Sequence, residues 1–157
     1  MAEPRIVERP VGSVVQIEAW PDTLAAASAV LDRQVGMAPP PGHGAGPLLG
    51  LAPGRWLLVA EERGWAARLA GAFGQGQACV TDLSAARVAL RLAGPGTLDL
   101  LRRHIGIDLH EQAFATGSCA QTQIHHMTVL LHRLGGEQFE IHVGRSFARS
   151  LRLWLAH

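Results

Sequence analysis

Val80-Thr-Asp-Leu-Ser-Ala-Ala-Arg-Val-Ala-Leu-Arg-Leu-Ala-Gly-Pro95 lies at the midpoint of the chain, and its reading decides the fold. Val88, Leu90 and Leu92 alternate with Arg87, Ala89 and Arg91, the period-two pattern of a strand with one buried face. Gly94-Pro95 stops the strand, and Leu98, Leu101 and Ile105 follow at helical spacing. Strand, stop and helix also appear, in degraded form, earlier in the chain.

Upstream, residues 14–20 alternate as a strand, with Val15, Ile17 and Ala19 on one side. Asp22 is placed to cap a helix over 23–35 that buries Leu24, Ala27, Leu31 and Val35. Residues 48–51 and 55–60 read as strands around a Pro53-Gly54 turn, and 61–73 as a helix carrying Trp65, Leu69 and Phe73 on one face. Downstream, 97–104 reads as a helix, 105–117 as an irregular connection, and 119–124 and 127–134 as strands. Gly135-Gly136 turns into a last strand with Phe139, Ile141 and Val143 facing inward. A final helix from about Arg145 is expected to bury Phe147, Leu151, Trp154 and Leu155, which leaves Arg145, Arg149 and Arg152 in a row on another face.

Each half thus reads β-α-β-β-α, a pseudo-repeat with halves at about 13–76 and 77–157 of a single 157-residue domain. The fold class is α+β with a mostly antiparallel sheet. Residues 1–12, charged and broken by Pro4 and Pro10, read as a loose arm. Residues 37–47, rich in Pro and Gly, read as a long surface loop. Gly42-His-Gly-Ala-Gly46 is no phosphate cradle, because no Lys-Ser/Thr follows and Pro47 blocks a helix start.

The chain lacks Tyr and Lys, and its fourteen basic residues nearly balance thirteen acidic ones. That balance leaves no global field to gather nucleic acid or an anionic membrane. No stretch approaches the ~20 apolar residues needed to span a bilayer. The opening residues lack the apolar run of a secretory signal, so the expected location is cytoplasmic, with Cys79 and Cys119 as reduced, buried thiols.

Few residues stand in a pattern that carries chemistry. Of eight histidines, His125 and His126 are adjacent, and on a strand they would point to opposite faces. With a two-residue turn at Gly135-Gly136, His132 faces Phe139 and His142 faces Val129, so these two do not converge. No third ligand stands at a metal-type spacing, and neither a metal site nor a catalytic residue is assigned. Cys119, Ser84 and Ser118 sit in no nucleophile elbow. Asp82, followed by Leu83-Ser84, reads as the cap of a turn and is the one weak candidate for holding a cofactor. Arg149 and Arg152 read as a solvated face or as a seat for a partner's carboxylates.

Thr81-Asp-Leu-Ser84, then Leu90-Arg-Leu-Ala-Gly-Pro95 with Leu98 and Leu101 behind, resemble the gamma subunit of heterotetrameric sarcosine oxidase. So do Asp108-Leu-His110, Phe114, Cys119-Ala-Gln-Thr122 and Val129-Leu-Leu-His-Arg133. Arg145-Ser-Phe-Ala148 with Leu151, Trp154 and Leu155 is similar to that family's last helix. Leu51-Ala-Pro-Gly-Arg-Trp-Leu-Leu58 resembles its Gly-Pro-x-x-Trp-Leu turn, with Ala52 where a Gly is usual. The resemblance runs from about residue 48 onward, and the residues before it match poorly.

Enzymes of that type oxidatively demethylate sarcosine to glycine with FAD, FMN and NAD, and pass the one-carbon unit to tetrahydrofolate. The flavins and NAD belong to the larger alpha and beta subunits. The gamma subunit is similar in fold to folate-binding aminomethyltransferases and carries no assigned catalytic residue. The resemblance therefore implies a non-catalytic accessory subunit, with alpha, beta and delta subunits as partners and no cofactor of its own. The absent dinucleotide fingerprint agrees, since Gly71, Gly74 and Gly76 follow a helix instead of a strand. Two other readings stay open: a stand-alone folate-binding one-carbon transferase, with Asp82 gripping a pterin, and a structural homodimer unrelated to sarcosine.

Overall fold

The computed structural model describes residues 3–157, and every strand pairing among them is antiparallel. The strands are β1 (Arg5–Arg9), β2 (Ser13–Glu18), β3 (Gly44–Ala45), β4 (Leu48–Ala52) and β5 (Arg55–Ala60). They continue with β6 (Cys79–Asp82), β7 (Arg87–Ala93), β8 (Cys119–Ile124), β9 (Met127–Gly135) and β10 (Gln138–Gly144). The helices are α1 (Leu24–Val35), α2 (Trp65–Ala72), α3 (Thr97–His104) and α4 (Ala148–Leu155), the last entered through a 3-10 turn at Arg145–Phe147.

Two sheets form, in the orders β3-β4-β5-β2-β6 and β8-β9-β10-β7-β1. The two orders correspond strand for strand. In each, a first strand (β2, β7) leads to a helix (α1, α3), then to three consecutive strands and a second helix (α2, α4). A repeat is present as topology, but its unit is β-α-β-β-β-α instead of the expected β-α-β-β-α; in the first half the added strand is Gly44–Ala45, inside the stretch read as a loop. The fifth position differs in origin: β6 follows α2, whereas its counterpart β1 comes from the far end of the sequence.

The chain divides into two compact units: one is Val11–Ala85, and the other is Ala86–His157 together with residues 3–10. The division thus falls at Ala85/Ala86, not near residue 76, and the central stretch is shared, Val80 to Asp82 in one sheet and Arg87 to Ala93 in the other. The expected loose arm is instead β1, with Ile6 opposite Leu92 and packed on the core. Pro4 and Pro10 bracket it without interrupting it, as suits an edge strand.

In the unit around β7, Leu90, Leu92, Val129, Leu131, Phe139, Ile141 and Val143 form one face of the sheet. Leu101 of α3 and Leu151 and Leu155 of α4 cover them. In the other unit, Val15, Ile17, Leu48, Trp56 and Leu58 meet Ala27 and Leu31 of α1 and Trp65 and Leu69 of α2. Each such side chain contributes roughly 1.5–3 kcal/mol on burial, which overrides the weak helix capping. Neither α1 nor α2 has a side-chain cap: α1 starts after Thr23 instead of at Asp22, and α2 starts at Trp65 because Gly64 stands at φ +91°.

Residues 37–47 are stitched to their sheet. Trp56 Nε1 donates to Pro39 O at 3.1 Å, Gly42 N to Gly50 O at 2.9 Å, and Gly50 N to His43 O at 2.8 Å. A Cβ on Gly50 would stand 2.3 Å from Pro40 O, so the loop's close approach needs glycine there.

Candidate functional site

The row of arginines expected on the last helix is present and faces outward. Arg145, Arg149 and Arg152 are exposed, while Leu151 and Leu155, one turn apart, hold α4 to the core. Phe147 does not join them. It lies in the 3-10 turn, off the stripe that Leu151 and Leu155 define, and is 50% exposed. Trp154 is partly buried, its ring centroid 3.9 Å from that of His125. Leu153, which the sequence reading passed over, is 55% exposed beside Arg149 and Arg152.

On the opposite face of the β7 sheet the sequence reading missed a charged cluster. Glu140, 1% exposed, accepts from Arg9 Nη1 at 2.9 Å and from Arg91 Nη2 at 2.9 Å. His142 lies two residues along β10 and His132 directly across on β9. His132 and His142 were expected not to converge; they share this face because a bulge at Gln138/Phe139 shifts the β9–β10 register by one residue. Phe139 therefore faces Arg133, and His132 faces Glu140.

Burial alone would raise the Glu140 pKa, but His142, Arg9 and Arg91 more than offset it and hold the carboxyl at about 2. Nε2 of His142 stands 3.3 Å from Oε1 without the alignment of a hydrogen bond, so the two in-line guanidiniums carry the larger share. His132 sits below the usual imidazole value through burial and the charges of His142, Arg9 and Arg91, against the pull of Glu140. The cluster is a buried ion-pair network in which Arg91 Nε and His142 Nε2 lack a hydrogen-bond partner, and it offers no base and nucleophile side by side.

Arg133 is the other buried cation. It donates to the carbonyls of Leu109, Phe114, Gly135 and Gly136, and its Nη2 stands 2.8 Å from Glu111 Oε2. It thereby fixes the irregular connection between α3 and β8.

Asp82 ends β6 exposed, with Oδ1 accepting from Ser84 N at 3.0 Å and Ser84 Oγ at 2.5 Å. Those two bonds hold its carboxyl below the ordinary value. His125 and His126 form the turn between β8 and β9, and His104 approaches His125 at 5.5 Å between ring centroids. Burial, then the charges of His125 and Arg103, depress the His104 pKa. Among the described residues, no three His, Cys, Asp or Glu gather as a metal set, and no helix is long and apolar enough to cross a membrane. Cys119 is buried as expected, but Cys79 is exposed on the edge strand β6.

The model of the "Sarcosine oxidase, gamma subunit family" matches residues 24–157. The chain belongs to the sarcosine oxidase gamma subunit family. The sarcosine oxidase subunit gamma of Corynebacterium sp. (strain U-96) is 37% identical over 109 residues, 69% of this chain and 53% of that protein. Its counterpart from Corynebacterium sp. (strain P-1) is 36% identical over 126 residues, 80% of this chain and 62% of that protein. The chain thus spans less than two thirds of the length of these curated relatives.

Among solved structures, the heterotetrameric sarcosine oxidase of Corynebacterium sp. U-96 in complex with pyrrole 2-carboxylate contains a chain that matches at TM-score 0.83 and 32% identity. The match covers 97% of this chain and 81% of that one. The glycine cleavage system aminomethyltransferase T of Bartonella henselae matches at TM-score 0.71 and 18% identity, over 98% of this chain and 45% of that one, a likeness of fold alone. The gamma subunit family match begins at the first residue of α1, so it includes α4 and its arginines but not β1.

Proposed function

We propose that this chain is a non-catalytic accessory subunit of a heterotetrameric sarcosine oxidase, an assembly that oxidatively demethylates sarcosine to glycine and passes the one-carbon unit to tetrahydrofolate. Its partners are the alpha, beta and delta subunits, in the cytoplasm. FAD, FMN and NAD sit on the larger subunits in this reading, and this chain contributes structure. The observation that carries the proposal is the match, over nearly the whole chain, to a chain of a heterotetrameric sarcosine oxidase. The side chains are in keeping with it: the buried charges pair with one another, and Asp82, the sequence's one candidate for gripping a pterin, has Oδ1 committed to Ser84.

The test is co-expression with the alpha, beta and delta subunits of a sarcosine oxidase. The expected result is a complex of fixed stoichiometry that oxidises sarcosine, while this chain purified alone shows no flavin absorbance and no sarcosine oxidation. Stoichiometric flavin or folate on the isolated chain would move the assignment to a folate-binding transferase.

A further inference from the structure

The unit built around β7 holds ten of the fourteen arginines but seven of the thirteen carboxylates. Three of those carboxylates already hold arginines within 3.5 Å. Glu140 takes Arg9 and Arg91, Glu111 pairs with Arg133, and Asp99 with Arg102. The surplus collects where α4 faces solvent. The Arg149 side chain makes no hydrogen bond or ion pair among the described residues, and Arg152 reaches Glu8 only at 3.9 Å, with the Arg152 and Glu8 side chains about half exposed. An open groove of about 480 Å³ runs beside them, lined by Glu8, Val88, Arg145, Arg149, Arg152 and Leu153.

A solvated basic face needs no apolar residue, and this one carries Leu153. Leu153, at i+4 from Arg149, turns outward with it, and Phe147 stands exposed at the entry to the helix. Exposed apolar side chains among fixed guanidiniums are the composition of an interface whose anchors are apolar and whose register is set by Arg. Arg149 and Arg152, three residues apart, present their guanidiniums from neighbouring positions about 5–6 Å apart on one helix face.

We propose that this face of α4 is where a larger subunit of the sarcosine oxidase assembly docks, and that the docked segment carries two carboxylates about one helical turn apart beside an apolar side chain. The inference rests on the function proposed above and names the surface and partner chemistry for it. The carboxylates pair with Arg149 and Arg152, the second displacing the long contact to Glu8, which at that distance and exposure is worth little. The apolar side chain seats against Leu153. Two bidentate Arg–carboxylate pairs around an apolar anchor give orientation as well as affinity.

The experiment is affinity purification of the assembly from co-expressed subunits, with this chain as wild type, Arg149→Glu/Arg152→Glu, or Leu153→Asp. Both variants alter exposed side chains and are expected to melt within a few degrees of wild type. The expected result is at least a tenfold loss of co-purifying larger subunits for each, with the wild-type complex weakening as salt rises from 50 to 500 mM. If wild type assembles and both variants assemble equally well, the docking surface is elsewhere and the proposed function stands. If wild type does not assemble with any larger subunit, the function and this inference fail together. Should the charge reversal unfold the chain, Leu153→Asp and the salt series decide alone, and a complex indifferent to both overturns the proposal.

Discussion

Arg9 on β1 and Glu140 on β10 meet at 2.9 Å although 131 residues separate them, and Arg91 on the intervening strand β7 holds the second carboxylate oxygen. One buried carboxylate thus ties three neighbouring strands of the sheet together. It also fastens in place a strand drawn from the other end of the sequence.

Glu140 makes stability depend on pH in a defined direction. Its folded pKa of about 2 lies below the ordinary 4.5, so its contribution is complete above about 4.5 and is lost as pH falls from there towards 2. Glu140→Gln leaves two guanidiniums facing an amide and is expected to cost roughly 3 kcal/mol near neutral pH, the low end for a broken buried pair because both arginines reach solvent. Chemical denaturation of wild type and variant between pH 7 and pH 2.5 checks this. The gap should close as acid protonates Glu140, and a gap that stays constant would show that the charge is not the cause.

Arg133 is expected to control the order of the connection between α3 and β8. Four backbone carbonyls and Glu111 converge on it. Arg133→Met keeps the aliphatic volume but leaves those acceptors without a donor, a loss on the order of 3–5 kcal/mol. Amide hydrogen exchange should accelerate in residues 108–117 before the strands of the sheet are affected. Uniform acceleration across the unit would mean that Arg133 supports the sheet as a whole.

How much of this was legible depends on whether the signal was local. Val88, Leu90 and Leu92 announce their strand because alternation is written in adjacent residues, and Leu151 and Leu155 announce a helix face in the same way. The strand β1 was not legible, because Arg5-Ile-Val-Glu-Arg9 carries few apolar residues and its partner residues on β7 lie eighty or more positions away. The Glu140 cluster was hidden twice over. Alternation marks a polar position as facing away from the helices without saying that this second face is also buried. The bulge that aligns His132 with Glu140 is a property of two paired strands, absent from either one alone. Phe147 was misplaced because helical spacing was extended into a 3-10 turn, where that spacing does not hold.

Gly50 sets the position of the Pro-rich loop. A methyl group at this position would stand 2.3 Å from Pro40 O, in backbone that cannot rotate away. Gly50→Ala is therefore expected to lift Pro39 to Pro41 off β4 and to release Trp56 Nε1 from Pro39 O, at a cost of about 1–3 kcal/mol. Indole fluorescence and exchange of the Trp56 ring proton provide the readout. Unchanged protection of that proton would mean the loop tolerates the methyl by a shift elsewhere.

Trp154 and Phe147 were expected to share one buried role, and the structure separates them. Trp154 packs against the core and covers the His125 ring at 3.9 Å, so truncation removes both apolar contact and an aromatic pair. Because the indole is only partly buried, Trp154→Ala should cost about 2–3 kcal/mol, less than the full penalty for an enclosed aromatic. The loss also frees His125, a non-glycine residue at φ +55°, from the ring that holds it, so the turn between β8 and β9 should become more mobile. Phe147→Ser removes a side chain that is half in solvent and should change stability by no more than about 0.5 kcal/mol. Thermal melts of the two variants side by side give the comparison. Equal losses would place Phe147 back in the core.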